Sequence, residues 1–243
     1  GGEGMTSRLS AIAINTFREA VRDRVLYNLI IFVLLLVAGA PLLGQISIDI
    51  EQLVLINVGL SSISFFGIVI AIFIGIGLVS KEIEKKTLYT ILSRPVRRWE
   101  FITGKYCGLM MTLVVNAVLM TAGFYVALLI NQRQLIRADA GLLIAIYFII
   151  LSYLMMTSIT LFFSSFSTPI FSAIFAFALF AIGTFSEDLR NFAALAHGAT
   201  KWFATAAAYA VPNFSSLNVI SRAAHNQPIA GSLILFNTLY ALL

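Results

Sequence analysis

Long uncharged apolar runs alternate with short charged segments along nearly the whole chain. Five runs are uninterrupted: Tyr27–Leu43, Leu53–Val79, Tyr106–Ile130, Gly141–Phe163 and Pro169–Phe185. A helix that crosses a bilayer needs about 20 residues, with roughly 17–25 tolerated. The first and fifth runs are therefore short for a crossing, and the second is long enough to tilt. A sixth run, Ile229–Leu243, is apolar to its last residue. At about 1.5 Å per residue it reaches only some 23 Å of a roughly 30 Å hydrocarbon layer. It is expected to be a truncated span whose natural chain continues.

The segment ahead of the first run has a different period. Leu9, Ile12, Ala13, Thr16, Phe17, Ala20 and Val21 share one face of a 3.6-residue helix, and Arg8, Asn15, Arg18, Glu19, Arg22 and Asp23 lie mostly on the other. A basic amphipathic helix directly before a span predicts an element lying in the headgroup plane over 8–25, with Phe17 and Arg18 as interfacial anchors. Gly1-Gly2-Glu3-Gly4 precede Met5 and read as residues added ahead of the natural start. Between the fifth and sixth runs, Ser186–Gln227 is too polar for a clean span. Thr184 and Ser186 offer N-caps beside Glu187 and Asp188, an Ala-rich stretch runs to Val211, and Pro212-Asn213 breaks it. Two short helices at the outer surface, partly dipping into the membrane, are expected. The competing reading, a full span over Phe192–Val211, would place His197 and Lys201 inside the bilayer.

Composition settles the class. Apolar residues make up 60% of the 243 residues and charged residues 11%, with a mean hydropathy of +0.95. Soluble domains carry about 25% charged residues. The chain is expected to be an all-α, polytopic integral membrane protein: a single transmembrane domain over 5–243 with the interfacial helix and six spans. The net charge of +5 matters through its placement, and no nucleic-acid partner is expected. With the N-terminus cytoplasmic, eleven Lys/Arg fall inside (Arg8, Arg18, Arg22, Arg24, Lys81, Lys85, Lys86, Arg94, Arg97, Arg98 and Lys105). Only five, Arg133, Arg137, Arg190, Lys201 and Arg222, fall outside. The excess of basic residues predicts that orientation.

Several chemistries are missing. None of the five complete runs holds an ionisable Asp, Glu, Lys, Arg or His, which argues against a proton- or ion-coupled transporter. Both histidines, His197 and His225, lie in the outer segment, and the single cysteine, Cys107, allows neither an intramolecular disulfide nor a cysteine-built zinc site. No catalytic, cofactor-binding or metal-ligating set is expected. The one Gly-Lys pair, Gly104-Lys105, is followed by Tyr106, and Trp99 stands where a P-loop needs glycine. Within the second run, Gly67, Ala71 and Gly75 recur every fourth residue, with Ser64 a turn earlier and Gly77 nearby. Such spacing lets two helix backbones approach closely. Asn57, Asn116, Ser152, Thr157, Ser158 and Thr160 suit either interhelical hydrogen bonds or the lining of a pathway.

The densest charge lies in the loop Ser80–Lys105, with seven Lys/Arg and three Glu in 26 residues. Glu82 pairs with Lys86 at i,i+4 and reaches Lys85. Leu88, Ile91 and Leu92 form an apolar patch, with Ile83 and Thr87 one turn earlier. Pro95 disfavours helix at Arg94, and Val96–Ile102 returns to the interface with Trp99 at headgroup depth and Arg97 and Arg98 toward anionic lipid. A charged helix with an apolar tip suits docking, although such charges also set topology alone.

This loop resembles that of the type-2 ABC exporter permeases. Glu82, Glu84, Thr87, Leu88, Leu92, Pro95, Arg98, Gly104 and Lys105 match the family pattern, and Lys86 departs from it where many members have glycine. The resemblance extends to Phe17-Arg18-Glu19 in the leading helix, the six-span layout, and Pro212-Asn213 before the last span. It implies a permease subunit in a bacterial or archaeal plasma (inner) membrane, paired as a homo- or heterodimer with a second permease and served by two cytoplasmic ABC ATPases that hold the ATP and Mg. The loop over 80–105, with Glu82, Glu84, Thr87, Leu88, Ile91, Leu92, Arg94 and Pro95, would couple ATPase closure to the pathway. A membrane scaffold that transports nothing, a channel or a lipid-handling protein are the alternatives. Since the chain has no phosphate cradle, the purified protein should neither bind a fluorescent ATP analogue nor hydrolyse ATP. Saturable turnover by the isolated chain would contradict the assignment.

Overall fold

The computed structural model describes residues 2–22, 51–84, 98–132, 137–225 and 231–242, together with 30, 31, 34, 39, 227 and 229. All regular structure among them is helical: α1 (Gly2–Arg22), α2 (Glu51–Glu84), α3 (Arg98–Gln132), α4 (Arg137–Ser164), α5 (Pro169–Thr184), α6 (Ser186–Leu195), α7 (Ala199–Ala210), a 3-10 turn (Ser215–Leu217), α8 (Ile220–Ala224) and α9 (Gly231–Leu242). Three helices are long and apolar enough to cross a membrane, over Leu53–Gly77, Trp99–Val126 and Leu142–Ser164. Taken together, α5 and α6 form a fourth candidate, bent by 57°. The expected first span, Tyr27–Leu43, falls largely outside the described residues. Its Leu34 occupies the space above Gly123 of α3. At 12 residues, α9 is shorter than a crossing.

The central helix is α4. It contacts α2, α3, α5, α8, α9 and the 3-10 turn. The aromatic side chains Phe148 and Tyr153 and neighbouring Met156 are fully buried in the shared core with Leu55, Leu60 and Ile63 of α2 and Met120 and Phe124 of α3. Lipid gives helices no hydrophobic reason to associate, so they associate where their surfaces fit. Gly67 supplies the closest fit: the Tyr153 ring fills the volume a side chain there would need, and its hydroxyl donates to the Ile63 carbonyl. One helical turn apart on the same seam, Ala71 is buried and Gly75 faces Thr160. The edge of Phe124 likewise lies over Gly59. Most buried hydroxyls on α3 and α4 return to their own helix. Thr112, Ser152, Thr157 and Thr160 donate to carbonyls four residues earlier at 3.0, 3.1, 2.7 and 2.7 Å. This satisfies them without water.

Both described ends of the segment expected over 80–105 are helical: α2 continues through Lys81-Glu82-Ile83-Glu84 and α3 is described from Arg98, while 85–97 lie outside the described residues. Lys and Glu are good helix formers, so charge ends the apolar run without ending the helix. Glu100 in the first turn of α3 complements the helix dipole. Glu100 and Lys105 thus belong to a helix and are buried there.

The segment 186–227 also differs in detail. Neither Thr184 nor Ser186 caps α6: Thr184 donates to the Phe180 carbonyl at 2.9 Å and Ser186 to Asn213 Oδ1 at 2.7 Å. The Ala-rich stretch is not one helix. Gly198 adopts φ +64, a conformation that L side chains rarely take, and separates α6 from α7. A third short helix, α8, follows Pro212. Asn213 gathers this region: its Oδ1 also accepts from the Ser216 backbone N–H, and its own N–H donates to the Tyr240 hydroxyl on α9. Phe214 and the Pro212 carbonyl close over Gly183 at the end of α5.

The turn between α4 and α5 carries no charged residue. Its N–H groups at Ser165 and Ser167 bond the Leu161 and Phe163 carbonyls, the hydroxyls of Ser164 and Ser165 bond the Leu161 and Phe162 carbonyls, and Pro169 has no N–H to satisfy.

The Gly67 seam makes a direct prediction. Gly67→Ala forces its methyl into a tyrosine ring that is fully buried and tethered to Ile63, so the variant should lose about 1–3 kcal/mol, an overpacking penalty. Gly77→Ala meets open space and should be neutral or slightly stabilising. Thermal unfolding of both variants in detergent compares them directly.

Candidate functional site

Helix α1 lies along α3, and glycine permits the approach. A methyl group at Gly108 would stand 2.5 Å from the Ala13 carbonyl oxygen and 2.6 Å from Thr16 Cβ. At Gly104 it would stand 2.8 Å from Ile12 Cγ2. The matching face of α1 is equally small, with Ala13, Thr16 and Ala20 all buried. Two such faces bring helix backbones into contact, as small-xxx-small pairs do. The amphipathic pattern predicts a helix in the headgroup plane; the structure adds that its small face, Ala13, Thr16 and Ala20, packs on the glycines of α3. The signal was present as Gly104-x-x-x-Gly108, split across the boundary between loop and span.

The same end of α3 holds charge. Lys105 and Glu100 are buried, and Lys105 Nζ sits 4.9 Å above the Phe101 ring centroid, within cation–π range. One residue further, the Tyr106 hydroxyl reaches the Leu154 carbonyl of α4 at 3.3 Å. The start of α3 is therefore held by α1 on one side and α4 on the other.

The sequence-predicted residues divide around this joint. Glu82 and Glu84 lie in the last turn of α2, and Arg98 opens α3. Trp99 is 44% exposed, Phe17 half-buried and Arg18 exposed. Thr87, Leu88, Ile91, Leu92, Arg94, Pro95 and Arg97 lie outside the described residues. Gly67, Ala71 and Gly75 face α4 within the chain. Of the polar candidates for a pathway, Ser152, Thr157 and Thr160 are turned into the core. Asn116 is buried, and its Oδ1 has no hydrogen-bond partner among the described residues. Asn57 differs: with Ser61, Ser62, Phe65 and Phe66 it lines an open groove along the first half of α2. Its amide donates to the Leu53 carbonyl at 3.0 Å. Among the described residues no cluster of His, Cys, Asp and Glu is arranged to hold a metal.

The described residues form an all-helical membrane domain whose helices pack through glycines. The chain belongs to the ABC-2 family of transporter proteins: the model described as "ABC-2 family transporter protein" matches residues 10–189, from within α1 to the first turn of α6. No curated protein matches the chain significantly. The family's members are membrane transport components that are not themselves catalytic, and the chain is an integral membrane protein of that kind.

The α1–α3 joint can be tested apart from transport. Gly108→Val pushes against a backbone carbonyl that no side-chain rotation can move aside, so it should release α1 from α3. Cleavage by trypsin after Arg18, which is already exposed, should then speed up by about tenfold or more, consistent with a local opening made easier by ~1.4 kcal/mol. The timed digestion of folded protein in detergent measures it. Gly104→Ala should do less, because the Ile12 side chain can shift.

Proposed function

We propose that the chain is the membrane-spanning permease subunit of an ATP-driven exporter, paired with a second permease subunit and driven by separate cytoplasmic ABC ATPases. The family membership carries this reading. The α1–α3 joint supports a route for the motion. Helices α2 and α3 are continuous up to Glu84 and from Arg98, so they act as levers on either side of residues 85–97. An ATPase that grips this segment through Leu88, Ile91 and Leu92 would move the two helix ends relative to each other as it closes on ATP. Helix α3 carries α1 with it, because Gly104 and Gly108 leave no slack between them, while α2 moves with α4 through Gly67 and Gly75.

The pathway in this reading runs between two permease subunits, with access alternating between the two membrane faces. The shallow face of α2 at Asn57, Ser61 and Phe65 is a surface available to that pathway. Helix α1 lies at the cytoplasmic face, where the excess of Lys and Arg places the N-terminus.

The experiment is a double substitution. Leu88→Asp with Leu92→Asp removes two apolar side chains, each contributing up to roughly 1.5–3 kcal/mol of burial against a partner. Expression, membrane insertion and topology should be unchanged, while ATPase co-purification and transport are lost. Neutralising Arg97 and Arg98 should have a smaller effect, since exposed charges contribute little and address lipid headgroups. Wild-type recovery of the ATPase by the double variant would place the docking contact elsewhere. Failure of the wild-type chain to recover any ATPase would favour a scaffold that transports nothing.

A further inference from the structure

Helix α9 meets the turn after Pro212 through two polar rungs. The Tyr240 hydroxyl accepts the Asn213 backbone N–H at 2.9 Å, and the Asn237 amide donates to the Ser216 carbonyl at 3.0 Å. The rungs pair 240 with 213 and 237 with 216, so the two stretches run antiparallel. Residues three apart on a helix share a face, and Asn237 and Tyr240 therefore address the same short stretch of chain. Two hydrogen-bonding capacities are left over there. Asn237 is 1% exposed, and its Oδ1 has no hydrogen-bond partner among the described residues. Tyr240 uses its oxygen to accept, and its own proton enters none of the hydrogen bonds among the described residues. We propose that a single water molecule is bound between α9 and the 213–216 turn, donating to Asn237 Oδ1 and accepting from the Tyr240 hydroxyl.

The pairing selects the ligand. The amide oxygen needs a donor, and the phenol needs an acceptor. A metal ion would serve the oxygen and repel the hydroxyl proton, and an anion would do the reverse. Water meets both demands with one atom. Its second proton has acceptors in reach of the turn: the Asn213 carbonyl takes the Ser216 hydroxyl and the Ser216 carbonyl takes the Asn237 amide, and each carbonyl keeps a second lone pair. Buried waters typically make about three such bonds to groups that would otherwise go unsatisfied. Size follows from closure, since the burial of Asn237 leaves no opening for a larger polar molecule. The chain neighbours Leu217 and Ala241 are buried and apolar, and lipid offers no hydrogen bond either. Exchanging the two ends of the Asn237 amide gives no relief, because its oxygen would then face the Ser216 carbonyl.

The test uses the full chain in lipid vesicles and needs no ATPase, so it stands or falls apart from the permease reading. In water-edited solid-state NMR, magnetisation from water protons should reach the Asn237 side chain within about twofold of the time it takes to reach the exposed Asn191. The fully buried Ala117 of α3 should lag by about fivefold or more. Transfer to Asn237 as slow as to Ala117 would overturn the proposal. A density map fine enough to show ordered water gives an independent reading. A peak about 2.6–3.2 Å from both Asn237 Oδ1 and the Tyr240 oxygen is expected. A protein atom in that place, or no peak, would refute it. A peak ringed by oxygens at about 2.4 Å would be a bound cation and would refute it too. Asn237→Leu, similar in volume and without an acceptor, should abolish the peak while the bond from Asn213 to Tyr240 remains, and a peak that persists would belong to other groups. The first two readings use the unaltered chain, so they decide the matter even if this variant does not fold.

Discussion

The fold depends on the absence of side chains at a few places where helices meet. In water, two helices associate because association removes apolar surface from solvent. In lipid that gain vanishes, and what remains is dispersion at close range and hydrogen bonds that lipid cannot supply. The Tyr153 ring over Gly67 uses both. Its contact with the bare α2 backbone is close only because no Cβ intervenes, and its hydroxyl finds the Ile63 carbonyl where no water competes. Since α4 also carries α3, α5, α8, α9 and the 3-10 turn, the seam it makes with α2 sets the position of nearly everything else described.

The second requirement is that polar groups inside the bundle be satisfied at home. Thr112, Ser152, Thr157 and Thr160 solve this by bonding back along their own helices, and so make no demand on neighbouring helices. Polar contacts between elements are concentrated instead at the end of α5, where Asn213 ties α6, the 3-10 turn and α9 together. The bundle thus has few polar ties in its middle, chiefly the Tyr153 and Tyr106 hydroxyls, and a dense set at one rim. Relative motion of helices costs less where contacts are dispersive than where a single asparagine holds three elements in register.

How much of this was legible follows from what each signal measures. Hydropathy reports burial from water, so the apolar runs at 53–79, 106–130 and 141–163 and the all-helical class could be read directly. It says nothing about where a helix stops once charges appear, so the helical state of 81–84 and 98–105 shows only in the structure. Amphipathic periodicity identified the small face of α1 but not its partner, because lipid and a glycine-bearing helix accept the same side chains. Gly104 and Gly108 would have distinguished them had the helix been read as starting before Tyr106. The hydroxyl of Ser186 caps nothing because it sits inside the first turn of α6, after Phe185, and donates to Asn213, 27 residues away in sequence. Tertiary partners of that kind leave no periodic trace.

The uncharged turn between α4 and α5 bears on how deep the joint between them can sit. A turn approaches hydrocarbon only if it brings little unpaired polarity with it, because each unsatisfied polar group costs several kcal/mol there. Here the N–H groups of Ser165, Phe166 and Ser167 and the hydroxyls of Ser164 and Ser165 bond carbonyls of Leu161, Phe162 and Phe163, and proline removes a further donor at the start of α5. The joint can therefore ride at the edge of the acyl layer, where a 16-residue helix held against α4 needs less length to reach the far side.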